Sequence, residues 1–263
     1  MKNLLSLEGK LAIVTGAAKG IGENIATLYR DHGAGVVICD IDDDCGAATA
    51  ERLGATYRHC DISRQEDVQS LFEFTETEIG PVDILVNNAG CGKVVEGGRA
   101  SVEEFRTDVW LEKIDIDLNG TFFCCRQMSE RMVARGSGCI INIASVAGVV
   151  ALQKQIAHDA CKAAIIKMTE CMAIELGPKG IRCNAISPGS TVTAATKSIF
   201  YADDGSPNPA GQELLTFIPL RRPGETSDIA GAALYLASDL ASYVNGHNLV
   251  VDGGWIAGFN RNF

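Results

Sequence analysis

A histidine and a lysine four residues apart, in the stretch IAHDACKAA at 156–164, have types and spacing that could do chemistry. In a helix, His158 and Lys162 would lie on one face, about one turn apart. Imidazole exchanges protons near neutral pH, and a neighbouring ammonium disfavours its charged form, so His158 could act as a general base. The same spacing also fits a solvated helix edge. The rest of the sequence must therefore decide between a catalytic pair and a solvent-exposed one.

A second group of residues could bind a phosphate. The segment TGAAKGIG at 15–22 places Gly16, Gly20 and Gly22 between a short β-branched run and an amphipathic stretch that includes Ile21. Glycines in a strand-to-helix turn let the backbone approach a diphosphate, whose charge the helix N-terminus favours. We therefore predict a dinucleotide site at this turn.

The next β-branched run ends in Asp40, which bears on the choice of dinucleotide. A carboxylate there can accept hydrogen bonds from an adenosine ribose and would repel a 2′-phosphate, which favours NAD over NADP. Two alternatives stay open. Asp40 could be a turn or capping residue, and Lys19 could pair with a 2′-phosphate. We give Asp40 the greater weight and expect NAD as the cofactor.

The elements that must position these residues alternate along the whole chain. Seven short β-branched runs, among them KLAIVTG, VDILVNNAG and GCIINIAS, are separated by longer helical stretches. Strands that alternate with helices form parallel sheets through right-handed crossovers. We predict an α/β fold, a single-domain, Rossmann-like, doubly wound parallel sheet of seven strands flanked by helices, over residues 1–263. Ligands of such sheets bind beyond the carboxyl ends of the strands.

The stretch 194–220 departs from this alternation. Its centre is polar and rich in turn residues and its ends are apolar, which suits a mobile flap over a pocket. An alternative is that its aromatic residues only seal the edge of the core. The expected borders of the pocket are 91–95, Leu152, Gln153, Phe200, Tyr201 and Phe217.

The charge and apolar content of the chain limit its partners. The formal net charge of −10 and the pI near 4.9 argue against nucleic acid and anionic membranes, which bind basic surfaces. The N-terminal segment lacks the apolar core of a signal peptide, and no stretch reaches the roughly 18 uninterrupted apolar residues of a membrane span. We expect a cytoplasmic protein.

The ten cysteines are scattered among apolar runs such as VVICD and TFFCCRQM. None has the paired spacing of a metal site, and Cys124 and Cys125 are too close together for ordinary ligand geometry. We expect most of them to be small buried hydrophobes kept reduced, and we predict no metal site.

Taken in order, the motifs resemble the short-chain dehydrogenase/reductase family over essentially the whole chain. These motifs are TGAAKGIG, CDIS, NNAG, LNG, IASVAG, ISPGSTVT and VVDGG. The resemblance implies an oxidoreductase that uses a nicotinamide cofactor and interconverts an alcohol and a ketone by hydride transfer.

The resemblance also implies roles for individual residues. Asn119 would hold a water in a proton relay, and Ser145 would hydrogen-bond the substrate oxygen. Lys162 would bind the nicotinamide ribose and depress the pKa of the acid/base, and Thr193 would contact the nicotinamide end. The implied cofactor contacts, with Asp61 placed for the adenine, are Gly16, Lys19, Gly20, Ile21, Gly22, Asp40, Ile41, Asp61, Ile62, Asn88, Ala89, Gly90, Lys162, Pro188, Gly189, Thr191 and Thr193.

His158 is where the chain departs from the family. The family has Tyr-x-x-x-Lys with the tyrosine thirteen residues after the serine, and 158 minus 145 is 13. An imidazole nitrogen lies about 2 Å nearer its backbone than a tyrosine hydroxyl, whereas proton transfer requires heavy atoms about 2.6–3.2 Å apart. A bridging water could close this gap. Without one, we expect a loss of about 10²–10⁴-fold.

Three functional interpretations remain. The first is an NAD(H)-dependent alcohol dehydrogenase or ketone reductase with a variant acid/base, favoured because the rest of the site is present. The second is a non-redox cyclase or isomerase that uses His158 for proton transfer, and the third is a catalytically silent cofactor-binding protein. The apolar pocket borders with few cations favour a small uncharged alcohol or ketone as substrate.

Two helical stretches, 119–135 and 158–176, carry apolar residues on more than one side, which indicates a second packing partner. The resemblance implies that this partner is the same pair of helices from another subunit, giving a homodimer or homotetramer. The residues concerned are Phe122, Phe123, Ile165, Met168, Met172 and Ile174.

Overall fold

The protein is built on a parallel β-sheet, seen in a computed structural model that describes residues 3–91 and 98–258. The strands are β1 (Leu11–Thr15), β2 (Gly35–Asp40), β3 (Thr56–His59), β4 (Ile84–Asn87), β5 (Gly138–Ile143), β6 (Ile181–Pro188) and β7 (Asn248–Val251). They pair in the order β3-β2-β1-β4-β5-β6-β7, every pair parallel. The predicted single-domain, seven-stranded, doubly wound fold is confirmed.

Helices cover both faces of the sheet. They are α1 (Gly20–Asp31), α2 (Asp43–Leu53), α3 (Gln65–Glu78), α4 (Thr107–Lys113), α5 (Gly120–Arg135), α6 (Ile156–Leu176), α7 (Lys197–Phe200), α8 (Pro209–Phe217) and α9 (Thr226–Ala237). Successive strand residues enter opposite cores: Val14 packs in the cluster with α1 and α9, and Ile13 in the cluster with α3 and α5. Burial on both faces explains the continuous apolar runs of the strands.

A π-helical stretch, Ile114–Asn119, joins α4 to α5 without a break. Such wider turns recur at functional sites because they change which side chains face inward. The stretch packs against α6, which carries His158 and Lys162. The path of this stretch therefore determines which of its side chains face His158 and Lys162.

The stretch 194–220 contains the short helices α7 and α8, linked by an antiparallel bridge between Tyr201 and Pro207. The two helices pack closely, since a Cβ added to Gly211 would lie 2.7 Å from the Cα of Phe200. Phe200 is buried, as expected of an aromatic residue that seals an edge, whereas Phe217 is exposed. The two aromatic residues thus differ in environment.

Helices α5 and α6 each bury one side and expose another. Ile165 is buried, and Phe123, Met168 and Met172 pack partly buried against the core. Phe122 and Ile174 instead keep 47% and 77% of their surface exposed. An apolar outer side is therefore present on both helices.

None of the ten cysteines, all of which lie in the described residues, forms a disulfide, and seven of them are buried. Within 3–91 and 98–258, no group of three or more His, Cys, Asp or Glu side chains is arranged to hold a metal ion. No helix in the same described residues has the length and apolar character needed to cross a bilayer.

Candidate active site

The turn after β1 is closely packed against the end of β4. Gly16 has φ +62°, and a Cβ there would lie 2.6 Å from the Cα of Ala89. Asn88 Nδ2 donates to the carbonyl oxygens of Thr15 at 3.0 Å and Gly16 at 2.8 Å. A Cβ on Gly22 would meet Asn88 Nδ2 at 2.5 Å. Only glycine at both positions lets the two segments come this close.

Asp40 lies at the end of β2, beside the glycine turn. Its carboxylate accepts hydrogen bonds from the backbone N–H of Ala18 at 3.1 Å, Ile41 at 2.8 Å and Asp42 at 3.2 Å. Asp40 is therefore a turn residue as well as a candidate ribose acceptor. Lys19 Nζ pairs with the Asp42 carboxylate at 3.0 Å, and this hydrogen bond raises the pKa of Lys19. The cation of the turn is thus already engaged.

The candidate adenine contacts follow β3. Asp61 Oδ1 accepts from the backbone N–H and the hydroxyl of Ser63, at 3.0 and 2.7 Å, which fixes the carboxylate. Ile62 is buried beneath the start of α5, where a Cβ added to Gly120 would lie 2.8 Å from its Cδ1. This packing leaves Gly120 no room for a side chain.

The residues after β6 approach the same turn from the other side. Pro188 ends β6, and the Gly189 N–H donates to the Val251 carbonyl oxygen at 2.9 Å. Thr191 is buried, and its Oγ1 donates to the Gly189 carbonyl oxygen. A Cβ on Gly20 would lie 3.8 Å from Thr193 Cγ2, so Thr193 faces the start of α1.

Together these segments follow the carboxyl ends of parallel strands, which is where dinucleotides bind in this class of fold. The close approach at Gly16 and Gly22 leaves backbone rather than side chains at the N-terminus of α1, which favours a diphosphate. The Gly20 N–H donates to a Glu23 carboxylate oxygen at 3.2 Å. Asp40 lies where a carboxylate can accept hydrogen bonds from the ribose of a dinucleotide in this class of fold. The residues present fit a nicotinamide dinucleotide.

Ser145, His158 and Lys162 come together at the end of β5. Ser145 follows the strand, and its Oγ accepts from the Ala147 N–H at 3.1 Å. The buried Lys162 Nζ donates to the Ile143 carbonyl oxygen at 3.0 Å, which ties α6 to β5. Burial lowers the pKa of Lys162. His158 is half-buried, one helical turn earlier.

The surroundings of His158 lower its pKa from 6.5 to about 4. Burial is the largest cause, followed by the charges of Lys162 and Lys113, with a smaller contribution from Arg99. The charge of Asp117 acts in the opposite direction. His158 is therefore a neutral imidazole at neutral pH.

In the π-helical stretch the buried side chain is that of Asp117, whereas Asn119, the residue expected in the proton relay, is only partly buried. Asn119 Nδ2 donates to the exposed Asp115 at 2.9 Å, whereas Asp117 is 1% exposed. Residues two apart in a helix do not share a face. Asn119 thus lies on a different side of the helix from Asp117, whose charge acts on His158 and Lys162.

Asp117 forms a buried ion pair with Lys113. Its Oδ2 lies 2.8 Å from Lys113 Nζ, and its Oδ1 accepts from the Cys91 N–H at 2.7 Å. Burial would raise the pKa of Asp117, but the charges of Lys162 and Lys113 outweigh it and lower the pKa below its usual value. A Cβ on Gly90 would lie 3.2 Å from Asp117 Oδ1, so the carboxylate also faces the NNAG segment.

A sequence signal for Asp117 exists. It lies four, seven and eleven residues before Thr121, Cys124 and Met128, which form a buried stripe of the helix. A carboxylate within such a stripe is seldom retained without a partner, and Lys113 stands four residues earlier.

The expected pocket borders are only partly brought together. Leu152 and Gln153 line an apolar groove of about 580 Å³ beside the start of α6, and Phe200, Tyr201 and Phe217 are not among the residues that line it. Cys91 lies at the Asp117 pair, while 92–95 fall outside the described residues. Lys113 and Arg99 place positive charge near His158. Neither residue was among the expected pocket borders.

Known proteins resemble this chain along nearly its full length. A family model described as Enoyl-(Acyl carrier protein) reductase matches residues 16–256. D-threitol dehydrogenase of Mycolicibacterium smegmatis is 37% identical over 254 residues, covering 95% of this chain and 94% of that protein. NAD-dependent glycerol dehydrogenase of Listeria innocua serovar 6a is 34% identical over 252 residues, covering 95% of each.

A solved structure shows the same architecture. Gluconate 5-dehydrogenase from Burkholderia cenocepacia, in complex with NADP and tartrate, superposes with a TM-score of 0.89 at 31% identity, covering 97% of this chain and 98% of that one. The fold and the glycine turn define a nucleotide-binding oxidoreductase of the doubly wound class. The chain belongs to the short-chain dehydrogenase/reductase family.

Proposed function

We propose that the protein is an NAD(H)-dependent dehydrogenase that interconverts a small secondary alcohol and its ketone, with His158 as the acid/base. The observation that carries the proposal is the position of His158, one helical turn from the buried Lys162 that is anchored on β5, the strand that leads to Ser145. The D-threitol and glycerol dehydrogenases among the relatives support an alcohol substrate.

Each residue of the group would have a distinct task. The Ser145 hydroxyl would orient the substrate oxygen, and the His158 imidazole would accept the alcohol proton or return it to a ketone. Lys162, anchored on Ile143, would hold the ribose of the cofactor. A bound nicotinamide would supply the hydride acceptor or donor.

The substrate proposal is an uncharged molecule, because the groove at Leu152 and Gln153 is largely apolar. Arg99 and Lys113 near His158 favour the competing class, hydroxy acids. Lys113 is already paired with Asp117, which leaves Arg99 as the cation for such a substrate. A substrate panel should therefore contain matched polyols and hydroxy acids.

NAD(H) is expected to bind more tightly than NADP(H), because Asp40 repels a 2′-phosphate and Lys19 is held by Asp42. Asp40→Asn should narrow the ratio of dissociation constants about tenfold, equivalent to about 1.4 kcal/mol. Asp42→Asn should release Lys19 and strengthen NADPH binding. Titrations of NADH and NADPH fluorescence measure both, with Asp44→Asn as the matched control. Equal or tighter NADPH binding by the unaltered protein would contradict the NAD proposal.

His158→Ala is expected to lower kcat for alcohol oxidation by about 10²–10⁴-fold, since the proton acceptor is lost. In the unaltered protein, kcat should fall only as the pH drops through about 4, where His158 gains a proton and can no longer accept one. NADH absorbance over a pH series with the substrate panel measures both effects. His247→Ala, which changes an exposed histidine, is the control.

The same series separates the other interpretations. Full turnover by His158→Ala, with a gain only in His158→Tyr, would show that the histidine is an inactivating replacement. Product formed without a change in NADH absorbance would show a non-redox enzyme, and cofactor binding without any product a silent protein.

We also propose that 194–220 closes over the bound substrate as a flap, supported by the exposed Phe217 and the polar turn between α7 and α8. Cleavage of this turn by a protease of broad specificity should slow when NAD and substrate are added. Cleavage around the exposed turn at Gly136 serves as the internal control. Equal cleavage rates with and without NAD and substrate would contradict the proposal that 194–220 closes as a flap.

A homodimer or homotetramer is expected, because Phe122 and Ile174 expose apolar surface on α5 and α6. Light scattering at micromolar concentration should give at least twice the chain mass of 27.9 kDa. Phe122→Glu should shift the mass toward the monomer, and Ile79→Glu, on α3's C-terminal end, should not. A monomeric unaltered protein would contradict the proposal.

We propose a cytoplasmic location, which the seven buried cysteines support because buried thiols outside disulfides are typical of proteins in a reducing compartment. Microscopy of a fluorescently tagged chain checks it.

A further inference from the structure

Ionisable groups from three elements converge on His158. Lys113 ends α4, Asp117 lies in the π-helical stretch, and Lys162 is one turn along α6 from His158. Arg99, from the segment before α4, adds a fourth charge that acts on the imidazole. The mechanism proposed above uses His158 and Lys162 but gives the other groups no task.

The Lys113–Asp117 pair is rigidly built. Lys113 Nζ donates to the Cys91 carbonyl oxygen at 2.8 Å, and the Cys91 N–H donates to Asp117 Oδ1 at 2.7 Å. The pair is thereby locked to the segment that follows β4. Asp117 Oδ2 makes the 2.8 Å ion contact with Lys113. A buried carboxylate is costly unless charges of opposite sign compensate it.

The charge balance around the imidazole explains why a carboxylate belongs there. Lys162, Lys113 and Arg99 all oppose protonation of His158, and Asp117 favours it. Removal of Asp117 would leave three cations acting on the imidazole. A base that accepts a proton in such surroundings needs a compensating negative charge.

We propose that Asp117 is a positioning residue for proton transfer: its carboxylate, fixed by Lys113, offsets the charge of the imidazolium that His158 becomes. The proposal rests on the proposed dehydrogenase function for its catalytic meaning. In the step concerned, the O–H bond of the alcohol breaks and an N–H bond forms on the imidazole. Asp117 keeps its negative charge throughout and exchanges no proton.

The direct test is a titration of the His158 ring by NMR in the protein without added ligands, with the signal assigned by its loss in His158→Gln. The unaltered protein should be about half protonated at pH 4. Asp117→Asn, which keeps the shape and an acceptor for the Cys91 N–H, should leave His158 neutral at that pH. Asp115→Asn, in the same stretch but exposed, should titrate like the unaltered protein.

Loss of the Lys113 charge should change the protonated fraction of His158 in the direction opposite to that expected for Asp117→Asn. Lys113→Gln removes one cation and should raise the protonated fraction of His158 at pH 4. The double variant Lys113→Gln/Asp117→Asn removes one charge of each sign, so its titration should return toward that of the unaltered protein. A purely structural role would instead make the double variant at least as perturbed as either single variant.

Kinetics supply the second readout. Asp117→Asn should lower kcat for alcohol oxidation by about tenfold or more while KM changes little, since only the charged state after proton transfer is affected. An unchanged His158 titration in Asp117→Asn overturns the proposal, whether or not an alcohol substrate is found. If Asp117→Asn fails to fold, Lys113→Gln decides, and an unchanged or lower protonated fraction overturns it. The protein could also show the expected changes in His158 protonation but oxidise no alcohol. That result would support the charge coupling between Asp117 and His158 and contradict only the proposed dehydrogenase function.

Discussion

The buried ammonium of Lys162 is the interaction on which the arrangement of the site depends. Its Nζ donates to the Ile143 carbonyl oxygen, at the carboxyl end of β5, and so fixes α6 against the sheet edge where ligands of this fold bind. His158 is one turn away on the same helix, so the same bond determines where the imidazole lies. A buried cation also imposes an electrostatic demand, because burial lowers its pKa and nearby negative charge must compensate.

Asp117 meets that demand, and the π-helical stretch makes this possible. It turns the carboxylate inward and sends Asn119 toward the exposed Asp115. Lys113, four residues earlier, then closes the pair. Two lysines and one carboxylate around a neutral histidine leave net positive charge in the pocket. This positive charge would favour an electron-rich substrate oxygen over a positively charged substrate group.

The sequence predicted the sheet well because burial on both faces gives each strand its own apolar run, as Ile13 and Val14 illustrate. It predicted the site less completely. Asn119 was assigned from the LNG motif of the family resemblance, and the buried helical stripe that begins at Asp117 was not used. The engagement of Lys19 by Asp42 and the effect of Lys113 on His158 join residues distant in the sequence, so neither is visible in a local pattern.

A histidine with a pKa of about 4 behaves differently from one with the ordinary value of about 6.5. At neutral pH the populated form is therefore the neutral imidazole, which is the proton acceptor. Oxidation of an alcohol would start from that populated form, whereas reduction of a ketone would require the rare but strongly acidic one. A carboxylate that stabilises the imidazolium therefore matters in both directions, because it makes the acceptor stronger for oxidation and the donor more abundant for reduction.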